Sequence, residues 1–109
     1  MFKLDQRVLP RKLLTVRADL SLEKGQVLEA QTIDISTTGI GLLTSKKLAK
    51  NQQCGIVFEL PLQQGNHRIT ASALIIYCEK STDGRYKAGL EFIDMDGALA
   101  AEIGQYADA

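Results

Sequence analysis

The sequence predicts a mainly β domain of about six strands closed by one helix. Three observations point there. Short segments alternate apolar and polar residues. Turn signals separate them at the roughly 8–12-residue spacing common in barrels and sandwiches. The last stretch then changes to a period between three and four, the mark of a helix face. At 109 residues, the chain is long enough for one buried core.

Residues 1–11 read as a flexible N-terminal arm. Pro10 lacks a backbone donor and pushes Leu9 toward an extended conformation, which disfavours a helix through Arg7–Arg11. Residues 12–94 read as the β domain. Lys12 to about Leu22, rich in Leu, Thr and Val, is a strand, ended by the turn Glu23-Lys24-Gly25. Gln26–Ile35 is a second. Ser36-Thr37-Thr38-Gly39 interrupts it, and Ile40–Thr44 resumes as a third. After the polar connector Lys46–Gln53, a half-buried strand alternates Cys54, Ile56, Phe58 and Leu60 with Gly55, Val57 and Glu59. Pro61 is expected to stop it, and Gln63-Gln64-Gly65-Asn66 to turn. Arg68–Cys78 is a longer strand, apolar on both faces from Ala73 onward. Ser81-Thr82-Asp83-Gly84 is a hairpin signal. The last strand alternates Tyr86, Ala88, Leu90 and Phe92 with Lys87, Gly89 and Glu91. Residues 95–107 read as a helix with Met95, Leu99, Ile103 and Tyr106 on one stripe. Gly97 and Gly104 each cost roughly 1 kcal/mol against alanine, so this helix depends on packing.

Composition excludes several functions. Thirteen Lys/Arg balance thirteen Asp/Glu, which argues against coating nucleic acid or an anionic membrane through an overall field. The balance hides an asymmetry. Residues 1–50 carry nine basic and five acidic residues, a difference of +4, and residues 51–109 carry four and eight, a difference of −4. The excess sits on the N-terminal stretch and on Lys46, Lys47 and Lys50, whose role the sequence leaves open. With three Phe, three Tyr and no Trp, a stacking groove for single-stranded nucleic acid is a poor fit. Cys54 and Cys78 lie among apolar residues with no metal-ligand spacing, so neither a structural metal nor a disulfide is implied. No signal peptide or apolar span of membrane length occurs. The expected setting is the cytoplasm, with no membrane insertion.

Catalysis is not expected. The single histidine, His67, sits beside a turn and reads as solvated. No nucleophile elbow, phosphate loop, dinucleotide fingerprint or zinc motif occurs. Asp94 and Asp96 are explained by the dipole of the helix that follows.

Two constellations remain. In the extended segment Arg7-Val8-Leu9-Pro10-Arg11, both arginines project to one side, separated by roughly 13 Å at about 3.3 Å per residue. Two guanidinium forks at that span suit phosphates and purine edges, although RxxxR alone is equally a solvated arm. In Asp34-Ile35-Ser36-Thr37-Thr38-Gly39, a regular strand would turn Asp34 and Ser36 outward and Ile33 and Ile35 inward. A carboxylate accepts paired N–H donors and a hydroxyl donates to phosphate. Gly39 allows a positive φ or a close approach of ligand. The same residues alone would also make an ordinary turn with local caps.

An N-terminal RxxxR, a spacing of two strands, then DxSxxG, in a chain of this size, resembles the PilZ domain. Tyr86-Lys87-Ala88-Gly89-Leu90-Glu91-Phe92-Ile93 is similar to the family's last barrel strand. The resemblance covers residue 3 to about 95. It implies a six-stranded antiparallel β-barrel, and for many members binding of the second messenger cyclic di-GMP without any cofactor. By that resemblance Arg7 and Arg11 wrap over the ligand while Asp34, Ser36 and Gly39 meet it from the barrel surface. Gly41 would help close approach. Gln6 stands where some members carry a further arginine, which leaves open whether one or two ligand molecules are held. With no second domain in the sequence, the expected output is a partner protein or a change of oligomer such as a homodimer, in motility, adhesion, biofilm or exopolysaccharide control. Some relatives instead serve as protein-interaction modules, for example in pilus assembly, without nucleotide.

Overall fold

The computed structural model describes residues 11–108. Its strands are β1 (Lys12–Leu13), β2 (Arg17–Ser21), β3 (Val27–Ile35), β4 (Gly39–Thr44), β5 (Gln53–Leu62), β6 (Gly65–Lys80) and β7 (Tyr86–Ile93), followed by helix α1 (Gly97–Ala107). All pairings are antiparallel. The strand order is β3-β2-β5-β6-β7-β4, and β4 pairs back onto β3. The result is a closed six-stranded barrel, in which the two outer strands of the order pair with each other. The two-residue β1 is an extra ribbon on the outer end of β3.

The period-two pattern fills the barrel. Leu20, Ile56, Leu60, Ile69, Ala73, Ile75 and Ala88 lose all exposure, and Phe58 nearly all. Ile103 of α1 is buried with them, while Met95, Leu99 and Tyr106 pack at the edge of the same core. Burying a side chain of this size contributes roughly 1.5–3 kcal/mol. That burial compensates for the two glycines in the helix. Asp96 caps the helix, its carboxylate accepting from the Leu99 N–H at 2.8 Å. The helix therefore starts at Gly97 rather than at 95, and Asp94 takes a left-handed φ of 55° just ahead of it.

Two further boundaries and one side chain differ from the sequence reading. The single strand expected over 12–22 is divided at 14–16. In that gap the buried Thr32 hydroxyl accepts from the Val16 N–H at 2.9 Å and donates to the Leu14 carbonyl. Between the pairs Leu13–Asp34 and Arg17–Gln31, the three residues 14–16 pass opposite only 32 and 33. Pro61 does not stop β5, and it pairs opposite Asn66. Beyond Phe58, β2 no longer accompanies β5, and a strand tolerates proline where one side is unpaired. His67 is not simply solvated. Its Nδ1 lies 2.8 Å from Glu102 Oε2 and so ties β6 to α1.

Cys54 is buried, Cys78 is half-buried, and both are free thiols. Burial pushes the Cys54 thiol pKa up. Among the described residues no helix is long and apolar enough to cross a membrane.

Candidate functional site

A bulge places two residues of one strand opposite one residue of its partner and re-aims the side chains there. This barrel has two that face the same cavity. In β3, Thr32 pairs with Leu42 and Asp34 with Gly41, leaving Ile33 and Asp34 both opposite Gly41. In β6, Ile75 pairs with Leu90 and Tyr77 with Gly89, leaving Ile76 and Tyr77 both opposite Gly89. Gly41 and Gly89 pair with each other across β4 and β7. One row across the outer wall therefore reads bulge, glycine, glycine, bulge.

Each bulge changes the inward alternation. In β3, Leu28, Ala30 and Thr32 are buried, so an unbroken strand would drive Asp34 into the core. The bulge turns Asp34 outward and returns Ile35 to the interior. Ile33, expected as a core anchor, is only half-buried for the same reason. In β6, Ile69, Ala71, Ala73 and Ile75 point inward, and the bulge leaves Ile76 and Tyr77 exposed at 40% and 36%.

The glycines make room for these side chains. A Cβ on Gly41 would lie 2.7 Å from Asp34 Oδ1, and one on Gly89 would lie 2.3 Å from Tyr77 Cε2. The Asp34 carboxylate thus folds over Gly41, and the tyrosine ring rests on Gly89. Between them a cavity of about 550 Å³ opens, lined also by Arg11, Thr38, Gly39, Lys87 and Glu91. That is within the usual range for small-molecule sites, roughly 300–1,000 Å³.

Arg11 closes one end. Its Nη2 donates to Asp34 Oδ1 at 2.8 Å and its Nη1 to Ser36 Oγ at 3.4 Å. The carboxylate and hydroxyl of the DxSxxG stretch therefore share one guanidinium. The two differ in exposure, against the reading that both face outward. The Asp34 side chain is 31% exposed, whereas Ser36 is wholly buried. Ser36 Oγ accepts from the backbone N–H groups of Thr38 and Gly39, both at 3.2 Å, and so fixes the turn between β3 and β4. Gly39 has no positive φ. What it permits is a close strand approach, since a Cβ there would lie 2.5 Å from the Leu90 carbonyl oxygen. Gln6 and Arg7 lie outside the described residues.

The root of the arm is fixed from two sides. Lys12 and Leu13 pair with Ile35 and Asp34. Tyr106 of α1 donates its hydroxyl to the Leu13 carbonyl at 2.6 Å, and Lys12 Nζ lies 4.4 Å from the centre of the same ring. These contacts hold Arg11 next to Asp34.

The decisive comparison is with families. A family model of the PilZ domain matches residues 5–109. The chain belongs to the PilZ family. Solved structures agree on the fold. The Bacillus subtilis inhibitor of motility MotI/DgrA superposes with a TM-score of 0.82 at 16% identity, over 96% of this chain and 51% of that one. The PilZ domain of YcgR from Escherichia coli, solved with c-di-GMP, gives 0.70 at 13% identity, over 92% and 85%. MrkH of K. pneumonia in its apo state gives 0.69 at 18%, over 94% and 49%. The chain thus spans about half the length of MotI/DgrA and MrkH. No curated protein sequence matches it.

In this PilZ domain, sequence reasoning missed Ile76, Tyr77, Lys87, Gly89 and Glu91 as cavity residues. One signal was present. Residues 73–78 are apolar on both faces, which a strand with one solvated face does not need.

Proposed function

We propose that this domain is a receptor for cyclic di-GMP, which it binds in the cavity over Gly41 and Gly89 through Arg7, Arg11, Asp34, Ser36, Gly39 and Gly41. The observation that carries the reading is Arg11 seated at 2.8 Å on Asp34 at the mouth of a cavity floored by two glycines. The ligand presents two anionic phosphates and two guanines. Guanidinium forks suit the phosphates and guanine O6/N7 edges. A carboxylate suits the paired N–H donors of guanine. Family membership supports the class of ligand, and the YcgR domain solved with c-di-GMP supports the ligand itself.

Ligand entry exchanges partners. The Arg11 guanidinium occupies one oxygen of the carboxylate, Oδ1, through Nη2, where a guanine edge offers two N–H donors to both oxygens. Binding moves Asp34 from arginine to guanine and releases Arg11 to a phosphate. The exchange costs little, because a pair as exposed as this contributes about 0–1 kcal/mol. Hydrogen bonds to charged groups contribute roughly 1.5–3 kcal/mol each. Ser36 supports the exchange by holding the turn beneath Arg11. Contact of Arg7 with the ligand changes the surface that a partner protein reads, in the cytosol, in a process such as motility, adhesion or exopolysaccharide synthesis.

Calorimetric titration of the chain with cyclic di-GMP, with GTP and cyclic GMP as controls, tests this. Saturable heat with cyclic di-GMP alone is expected. Equal response to the controls, or none to any, sinks the receptor reading and leaves a protein-interaction module.

A further inference from the structure

We infer that Glu91 is a second base-reading carboxylate of the cavity, which takes the Watson–Crick edge of the other guanine and so sets selectivity for a ligand with two guanines. The inference rests on the receptor reading above and concerns a residue outside the RxxxR and DxSxxG motifs. Leu90 and Phe92 are buried on either side of Glu91, so its side chain points outward, on the same face as Gly89. Its cross-strand partner in β4 is Gly39. With no side chain at 39 the backbones come close, and a Cβ there would lie 3.7 Å from the Glu91 Cα. The Phe92 N–H donates to the Thr38 carbonyl at 2.9 Å, which fixes this stretch of β7 against the β3–β4 turn. Glu91 is thus held at the rim of the DxSxxG turn, exposed, and lines the same cavity as Asp34. Asp34 sits two strands across and two residues along from it, roughly 12 Å away at about 4.8 Å per strand and 3.4 Å per residue. Among the described residues Asp34 is paired with Arg11, whereas Glu91 has no ion-pair partner. Lys87, the other charged residue of β7 in the cavity, lies four residues back along the strand, roughly 13 Å away at about 3.3 Å per residue. The proposed ligand is a dianion, and a carboxylate beside it opposes binding unless it accepts hydrogen bonds in return. Guanine offers two donors for that purpose, N1–H and the N2 amine. Adenine presents an acceptor at N1 and no amine at C2, so it cannot make the pair.

The sign of one substitution decides the matter. Calorimetry is done on the full chain and on Glu91→Gln, with cyclic di-GMP and with the mixed cyclic dinucleotide of one guanine and one adenine. Glutamine keeps the shape and removes the charge. Glu91→Gln should weaken cyclic di-GMP binding by about tenfold or more, as the loss of a charged hydrogen bond does. A site built to bond an N–H rejects an analogue that lacks it, so the unsubstituted chain should hold the mixed dinucleotide about tenfold or more weakly than cyclic di-GMP. Glu91→Gln should narrow that gap to about threefold or less. A carboxylate that only repels the phosphates would give tighter binding once its charge is removed. Unchanged or tighter binding of cyclic di-GMP by Glu91→Gln therefore overturns the inference while the receptor reading stands. Glu79→Gln controls for net charge. Glu79 is exposed on β6 and does not line the cavity, so its substitution should leave affinity within about twofold, as screened surface charges do. A loss there as large as that of Glu91→Gln overturns the inference. Absence of any binding by the unsubstituted chain overturns both readings.

Discussion

The barrel has a regular side and an irregular side. β2 and β5 pair without a break from Ala18–Phe58 to Ser21–Gly55, and β5 keeps its register with β6 through ten successive pairs. There every inward residue is buried and every function of the pattern is stability. β3 and β6 each break once where they border the β4–β7 pair, and both breaks face glycines. The regular side shows what alternation achieves when nothing interrupts it. The irregular side shows the cost of presenting a carboxylate and a tyrosine outward from positions that strict alternation would bury.

Mutations should separate the two sides. Phe58→Ala on the regular side should cost about 3–5 kcal/mol of stability, as large-to-small core changes do, while the folded fraction binds cyclic di-GMP normally. Denaturant unfolding and calorimetry together read this. Asp34→Ala on the irregular side should do the reverse. Its loss of stability should stay within about 1 kcal/mol, since the pair with Arg11 is exposed, while affinity falls about tenfold or more with the lost charged hydrogen bonds. Arg11→Ala should behave similarly. Gly41→Ala sharpens the point, because its added Cβ would lie 2.7 Å from Asp34 Oδ1 and so pushes the carboxylate off the floor. Affinity should fall with little change in the unfolding midpoint, and unchanged affinity would mean that the floor does not position Asp34.

The smallest effect concerns a second ion pair, away from the cavity. Asp83 is held at a pKa of about 2, below its ordinary 3.8, first by the hydrogen bond from the Arg85 side chain and then by the Arg85 backbone N–H. A lowered folded pKa contributes stability above the unfolded value, and that contribution disappears as pH falls from about 4 through about 2. Arg85→Ala should return the Asp83 midpoint upward in a carboxyl NMR titration. This pair sits two residues apart on one hairpin. Asp34 takes its arginine from 23 residues away.

Much of the fold was legible in the sequence because it depends on period and punctuation. The alternation of β5 and β7, the turns at Gln63–Gln64 and Ser81–Gly84, and the helical stripe ending in Ile103 and Tyr106 are all local signals. The bulges were not legible. A bulge shifts the pattern by one residue, and Thr32-Ile33-Asp34-Ile35 reads equally well as unbroken alternation. Only the partner strand reveals that two residues oppose Gly41. The division of the first strand at 14–16 was hidden for the same reason, since only the register with β3 shows three residues passing opposite two. In the candidate site, Asp34, Ser36, Gly39 and Arg11 were legible as motifs, and the structure brings Arg11 onto Asp34 and Ser36. Tyr77 and Gly89 carried no motif. Their relation exists only through the β6–β7 register.

The most direct measurement is the position of the ligand itself. Crystals of the chain grown with cyclic di-GMP should show a guanine edge on the Asp34 carboxylate, Arg11 swung to a phosphate, and ligand density over Gly41 and Gly89. Ligand bound elsewhere on the barrel, with Arg11 still paired to Asp34, would contradict it.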